Sequence, residues 1–311
     1  MAIAAPDRSP PSAKVLAGVK QLPASYKGVL LDQFGVLHDG QQPYVGAIDA
    51  VHEMAASGLS ILVLSNSSRR AAGALDKLAK MGFDAKNFAG AVTSGEIAHT
   101  KLLQRTDSFW AGLGKRCLHF TWSSRGAVSL EGLGLEVVHR PEDADFILAS
   151  GTEALGRGDA AEPLEVEVDE FHRLMRCCTD RGGVPLICAN PDVVTVDGTA
   201  LRPMPGAFAK AYADMGGEVH LMGKPAPVIY ETALAMLGLP RQEVIAIGDS
   251  LEHDIAGASA AGIDSVFIPA GIHAEDLGIT ATNVAADSTQ LGLLCEQHGA
   301  APTYIMPYLR P

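Results

Sequence analysis

The residue types that could do chemistry in this chain stand directly behind short apolar runs: Asp32, Ser65 with Asn66, Lys224, Asp249 and, a few residues on, Asp254. Two carboxylates on one sheet edge suit an oxygen-preferring Mg²⁺, which takes one or two protein carboxylates and leaves its other positions to water and phosphate. Lys224 adds a positive charge, and Ser65 with backbone N–H groups at a helix start can hold phosphate oxygens. An aspartate beside a metal and a lysine, facing a phosphate so held, is arranged for covalent catalysis through an aspartyl-phosphate. Metal and lysine would neutralise charge on the transferred group, where phosphoryl transfer needs help.

These side chains share a neighbourhood only if the runs before them are parallel strands, because ligands of an open parallel sheet bind outside the carboxyl ends of its strands. Gly28–Leu31, Ser60–Leu64 and Val244–Ile247 are continuous apolar runs, the pattern of strands covered on both faces. Glu218–Met222 and Ser265–Ile268 are weaker members. Helices are predicted over Val45–Ser57, Arg69–Met81 and Pro227–Leu237, each stopped by a glycine. Thr93 and Glu96 have the spacing of a capping box. The whole reads as βαβα units, an α/β fold with a doubly wound parallel sheet.

The middle of the chain repeats the style with its own strands, Cys117–Phe120, Leu135–Val138, Phe146–Ala149 and Pro185–Cys188, and a helix around Glu170–Thr179. The chemically suggestive residues lie before 70 and again after about 220, so this part reads as an inserted α/β domain rather than a tandem one. The expected organisation is a flexible leader over 1–25, a core over 26–90 and 205–311, and an inserted cap over 91–204.

The 311 residues carry a net charge of −12 and are 47% hydrophobic, which excludes a disordered chain. No cationic block is present to hold a nucleic-acid backbone, and no apolar run approaches the ~18 residues of a membrane span. Five cysteines without a C-x-x-C pair fit neither a disulfide framework nor a structural zinc site. The expected setting is reducing and cytoplasmic.

The sequence resembles the haloacid dehalogenase-like (HAD) hydrolases, and within them the class IIA branch of NagD-like and phosphoglycolate-type phosphatases. Leu31-Asp-Gln-Phe-Gly-Val-Leu-His-Asp-Gly40, Val63-Leu-Ser-Asn-Ser-Ser68, Gly223-Lys-Pro225 and Gly248-Asp-Ser-Leu-Glu-His-Asp-Ile255 match its four motifs in order, and Asn190-Pro-Asp192 matches a segment of its caps. The resemblance covers about residues 26–290. It implies a Rossmann-like core with a cap inserted between the second and third motifs, and a Mg²⁺-dependent phosphatase of a small phosphorylated metabolite. Asp32 would be nucleophile and metal ligand, Asp249 the second metal carboxylate, and Asp254 its support. Ser65 and Lys224 would hold the phosphate with Asn66 beside them, and Asn190 and Asp192 would bear on substrate choice. Homodimers through the cap are common among such proteins.

One position departs from the family. HAD phosphatases usually place a second aspartate two residues after the nucleophile, where it protonates the leaving group and then activates water; here that residue is Phe34. Its carbonyl can still ligate the metal, but its side chain moves no proton, and such assistance is worth roughly 10²–10⁴-fold. His38, Asp39 or a cap residue are the nearby substitutes. Two alternatives stay open: a metal-independent dehalogenase-like hydrolase, suggested by the aromatic, and a phosphate-binding regulatory protein with weak or no turnover.

Overall fold

The computed structural model describes residues 13–123, 128–158, 162–197, 200–279 and 288–311. The chain forms two compact units, Met1–Ile61 with Gly238–Pro311 and, inserted between these halves, Leu62–Leu237. Among the described residues no helix is long and apolar enough to cross a membrane.

In the first unit every residue of the strands Gly28–Leu31 and Val244–Gly248 is buried, as their unbroken apolar runs require. They pair in parallel, Val244 opposite Gly28 and Ile247 opposite Leu31. Asp264–Phe267 lies on the other side of Val244–Gly248, followed by Tyr304–Ile305 and Lys14–Val15, all parallel. Helix Ala47–Ala56 buries Ala47, Ala50, Val51 and Met54, the three- and four-residue spacing of one helix face.

The expected leader needs correction. Residues 1–12 lie outside the described ones, but Lys14–Val15 is a strand and Leu16 is fully buried, its N–H donating to the Ile305 carbonyl at 2.8 Å. Tyr26 closes the segment with a 2.7 Å hydrogen bond from its hydroxyl to Asp264. A two-residue strand whose partner is at the other end of the chain leaves no local periodicity to read.

The second unit begins within strand Ser60–Ser65, which pairs in parallel with Gly90–Thr93. Helix Pro227–Leu237 packs on Gly90–Thr93 within this unit. Its larger sheet runs in the order Val219–Leu221, Leu186–Cys188, Phe146–Ala149, Arg116–Thr121, Ala154–Leu155, Leu164–Glu165, with Glu136–Val137 also on Arg116–Thr121. The first four are parallel; the Ala154–Leu155 and Leu164–Glu165 strands add on antiparallel.

Alternate residues Leu118 and Phe120, Ile147 and Ala149, Leu186 and Cys188 face one side, the two-residue period of a strand. There they meet Phe171, Leu174, Met175 and Cys178 of helix Val168–Arg181 and Phe208, Ala209 and Tyr212 of helix Pro205–Asp214. The rings of Phe120, Phe171 and Phe208 pack at centroid distances of 4.8–6.0 Å. The hairpin Val194–Asp197 with Ala200–Pro203 was not expected from sequence.

The capping box is half realised. Thr93 accepts the Glu96 N–H at 3.1 Å, but the Glu96 carboxylate turns to the Arg70 guanidinium, at 2.7 and 2.8 Å, and to the Ala71 N–H. A bidentate guanidinium outcompetes one backbone N–H for a carboxylate.

Candidate active site

In the first unit the register of two adjacent strands brings Asp32 and Asp249 to neighbouring carboxyl ends, and the Asp32 N–H continues the ladder to the Ile247 carbonyl at 2.9 Å. Asp254 joins them from Leu251–Ile255, a single π-helical turn. Such wide turns recur at functional sites because they re-aim one side chain. Here the Asp254 carboxylate accepts the Ser250 N–H at 3.1 Å. Carboxylate oxygens of Asp32, Asp249 and Asp254 lie within 4.8 Å of one another, and all three residues are buried.

Asp249 is gripped by backbone. The Ile272 N–H donates to its Oδ2 at 2.7 Å. Gly35 and Gly271 approach the same oxygen so closely that a Cβ on either would lie 1.9 or 2.1 Å from it. Gly35 also has φ +86°, a conformation that only glycine adopts readily. Three clustered, buried, hard oxygen donors are the donor set of Mg²⁺ or Ca²⁺, so these residues fit a divalent cation. Asp254, expected only as support, has a carboxylate oxygen within the same 4.8 Å of the other two.

Phe34 follows Asp32 on a loop folded back on itself: the Gln33 carbonyl accepts from Leu37 at 2.7 Å and His38 at 3.2 Å, and Gly35 donates to the His38 carbonyl at 3.0 Å. The Phe34 ring is half exposed and meets His38 edge-on with centroids 6.2 Å apart. Asp39 accepts the Gln41 and Gln42 N–H groups, both at 2.8 Å, and these bonds, Gln42's first, hold its carboxyl below the usual range. Buried His38 accepts the Gly40 N–H on Nδ1 at 3.0 Å, which places the proton of a neutral ring on Nε2.

The second unit holds the other expected residues. Ser65 ends its strand, buried, and its hydroxyl accepts the Ser67 N–H at 3.2 Å. Asn66 differs from expectation: its carboxamide is committed to protein partners rather than presented to a ligand. Its Oδ1 accepts the Lys224 N–H at 2.7 Å, and its Nδ2 donates to the Asp192 carboxylate at 2.8 Å and the Lys224 carbonyl at 3.2 Å. Asn190 is buried and turned to its own segment, its Oδ1 accepting the Asp192 N–H at 3.0 Å. The Lys224 side chain is buried, as lysines seldom are unless paired.

Sequence reasoning missed the Ile272 amide, the Gly35 and Gly271 approach, and Tyr44, whose phenol is pushed up by burial and by the charges of Asp249 and Asp39. Only glycine at positions 35 and 271 hinted at any of them.

A haloacid dehalogenase-like hydrolase family matches residues 29–136, and a second HAD-hydrolase-like family matches residues 221–291. The chain is 26% identical over 250 residues to the 5'-nucleotidase YutF of Bacillus subtilis, across 80% of this chain and 89% of that one. It is 25% identical over 249 residues to an acid sugar phosphatase of Staphylococcus aureus, across 79% and 88% of the two chains. A haloacid dehalogenase-like hydrolase of Brucella suis superposes with a TM-score of 0.74 at 26% identity, covering 95% of this chain and 100% of that one. With the four motifs, the parallel α/β fold and these matches in agreement, the chain belongs to the haloacid dehalogenase-like hydrolases, in their class IIA branch.

Proposed function

We propose that this hydrolase is a Mg²⁺-dependent phosphatase of a small phosphorylated metabolite, working through an aspartyl-phosphate on Asp32. The observation that carries the reading is the trio of buried carboxylates, Asp32, Asp249 and Asp254, within 4.8 Å of one another. Like charges so close need a cation to balance them. The relatives named as a 5'-nucleotidase and an acid sugar phosphatase support the substrate class.

In this scheme an Asp32 oxygen attacks phosphorus, and the bond from phosphorus to the leaving oxygen breaks with its electron pair. Water then hydrolyses the acyl phosphate, regenerating the carboxylate and releasing inorganic phosphate. Asp32, Asp249 and Asp254, with the Phe34 carbonyl, would hold Mg²⁺, which when bound supplies positive charge against the phosphoryl oxygens. Ser65 and Lys224 are assigned to the phosphate. Asn66 is assigned to positioning Lys224, and Asn190 and Asp192 to the substrate's remaining part. The setting is taken to be cytoplasmic, and a homodimer through the inserted unit is the assembly to test.

A metal-independent dehalogenase has no use for three clustered buried carboxylates, and a regulatory protein would bind Mg²⁺ and phosphate without turnover. The decisive experiment is phosphate release from sugar phosphates, nucleotides and aryl phosphates, with Mg²⁺ and with EDTA, by the wild type and Asp32→Asn. Release that needs Mg²⁺ and disappears in Asp32→Asn is expected. Equal release by both proteins would overturn the reading.

A further inference from the structure

Two residues after Asp32 stands Phe34, and a phenyl side chain has no proton to give a departing group. Asp39 is tied to the Gln41 and Gln42 amides and held ionised. His38 is buried, with Nδ1 taken by Gly40. The loop exposes Phe34 instead, 42% accessible.

A second large apolar side chain is exposed on the other backbone segment that holds Asp249. Ile272 is 46% accessible and its N–H grips Asp249 Oδ2, the oxygen against which Gly35, next to Phe34, also abuts. Apolar side chains of this size are normally buried, yet two stand exposed on the backbone segments that hold one site carboxylate.

We propose that Phe34 and Ile272 form an apolar rim to the site and that it selects phosphate monoesters whose leaving group is apolar and departs as a stable anion, aryl phosphates above all, over phosphates of ordinary alcohols. The inference rests on the phosphatase reading above and adds the substrate class. Asp32 forms a bond to phosphorus as the phosphorus–oxygen bond breaks, and the pair goes to the aryl oxygen. A phenolate, the base of an acid with pKa about 10, leaves without a proton and takes one from solvent later. An alkoxide is far more basic and needs an acid beside it, which the Phe34 side chain cannot be. The ring of an aryl group would also pack on Phe34.

The test is kcat/KM of the Mg²⁺-loaded protein for substituted phenyl phosphates, acetyl phosphate, and ethyl, glycerol and sugar phosphates. Log kcat/KM should fall steeply with leaving-group pKa, aryl exceeding alkyl esters by about 10²-fold or more. Phe34→Asp should raise the alkyl esters by about 10²-fold, while Phe34→Asn, polar but not acidic, should not. Acetyl phosphate has a good leaving group without a ring, so it separates leaving-group chemistry from ring packing.

Calorimetry supplies a readout independent of turnover and of how Phe34→Asp folds. Phenylphosphonate should bind the wild type about 5-fold more tightly than methylphosphonate, and Phe34→Ala should erase the difference. Alkyl esters within tenfold of aryl esters, or equal phosphonate affinities, would overturn the inference. If the Asp32→Asn protein is dead in the same assays, the phosphatase reading survives that result; if it matches wild type on every ester, the phosphatase reading itself fails.

Discussion

Asn66 donates to Asp192 at 2.8 Å, across 126 residues of chain, while the oxygen of the same carboxamide accepts the Lys224 N–H at 2.7 Å. The residue after Ser65 therefore fixes both the backbone of the buried lysine and the Asn190–Asp192 segment. The polarity of the bond gives a specific expectation. Asn66→Asp sets two carboxylates against each other, and Asp192→Asn alone only weakens the acceptor. The double variant Asn66→Asp with Asp192→Asn puts a donor opposite an acceptor again and keeps the bond from the Lys224 N–H, losing only the 3.2 Å bond to the Lys224 carbonyl. We expect the first single variant to lose about 1–3 kcal/mol, and the double variant to recover much of it as a coupling term. Urea unfolding and kcat/KM for the four proteins measure this, and strictly additive changes would show that the bond carries no positioning role.

Gly35→Ala should damage cation binding specifically. Its Cβ would fall 1.9 Å from Asp249 Oδ2, and its φ of +86° disfavours any side chain, so the loop or the carboxylate must move. The backbone term alone is about 1–2 kcal/mol. The wild type should be stabilised by millimolar Mg²⁺ in thermal unfolding, through preferential binding to the folded state. Gly35→Ala and Asp254→Asn should both lose most of that shift. An undiminished Mg²⁺ shift in Asp254→Asn would remove the third carboxylate from the cation site.

Strands whose burial is complete could be read directly: Gly28–Leu31 and the helix Pro227–Leu237 coincide with their apolar patterns, and Val244–Gly248 extends its pattern by one residue. The same patterns put Asp32 and Asp249 at strand ends, because carboxyl-end position follows from strand assignment. What stayed hidden depends on distant or backbone partners. Lys14–Val15 needs Tyr304–Ile305, and Asn66 shows its role only beside Asp192 and Lys224. Glu96 follows the spacing of a cap yet binds Arg70, since spacing cannot reveal a stronger competing partner.

Phe34 has a kinetic consequence as well. The second half of the proposed reaction needs a water to be deprotonated as it attacks the aspartyl-phosphate, and a phenyl ring gives it no base. With an aryl phosphate, whose first step is fast, hydrolysis of the intermediate should limit turnover. Rapid mixing with nitrophenyl phosphate should give a burst of nitrophenolate of about one equivalent per site before the steady rate. Phe34→Asp should shrink the burst by speeding the second step. A linear time course from the first turnover would show that formation of the intermediate, not its breakdown, is slow.

His119 in the inserted unit gives the chain a defined acid sensitivity. Its Nε2 lies 3.0 Å from the Ser150 hydroxyl, which donates to the Phe120 carbonyl at 3.1 Å, so the hydroxyl accepts and the neutral ring carries its proton on Nε2. Burial holds the imidazole down to about 4, from 6.5. Between these values the unfolded chain binds a proton that the folded chain does not, so stability rises with pH across that window. The contribution is complete above about pH 6.5 and is lost as pH falls to about 4, with a ceiling of about 3 kcal/mol. His119→Gln keeps a donor for Ser150 but cannot titrate. From pH 7 to 4.5 the wild type should lose about 2–3 kcal/mol more than His119→Gln in urea unfolding; equal losses would show that the imidazole is not held neutral.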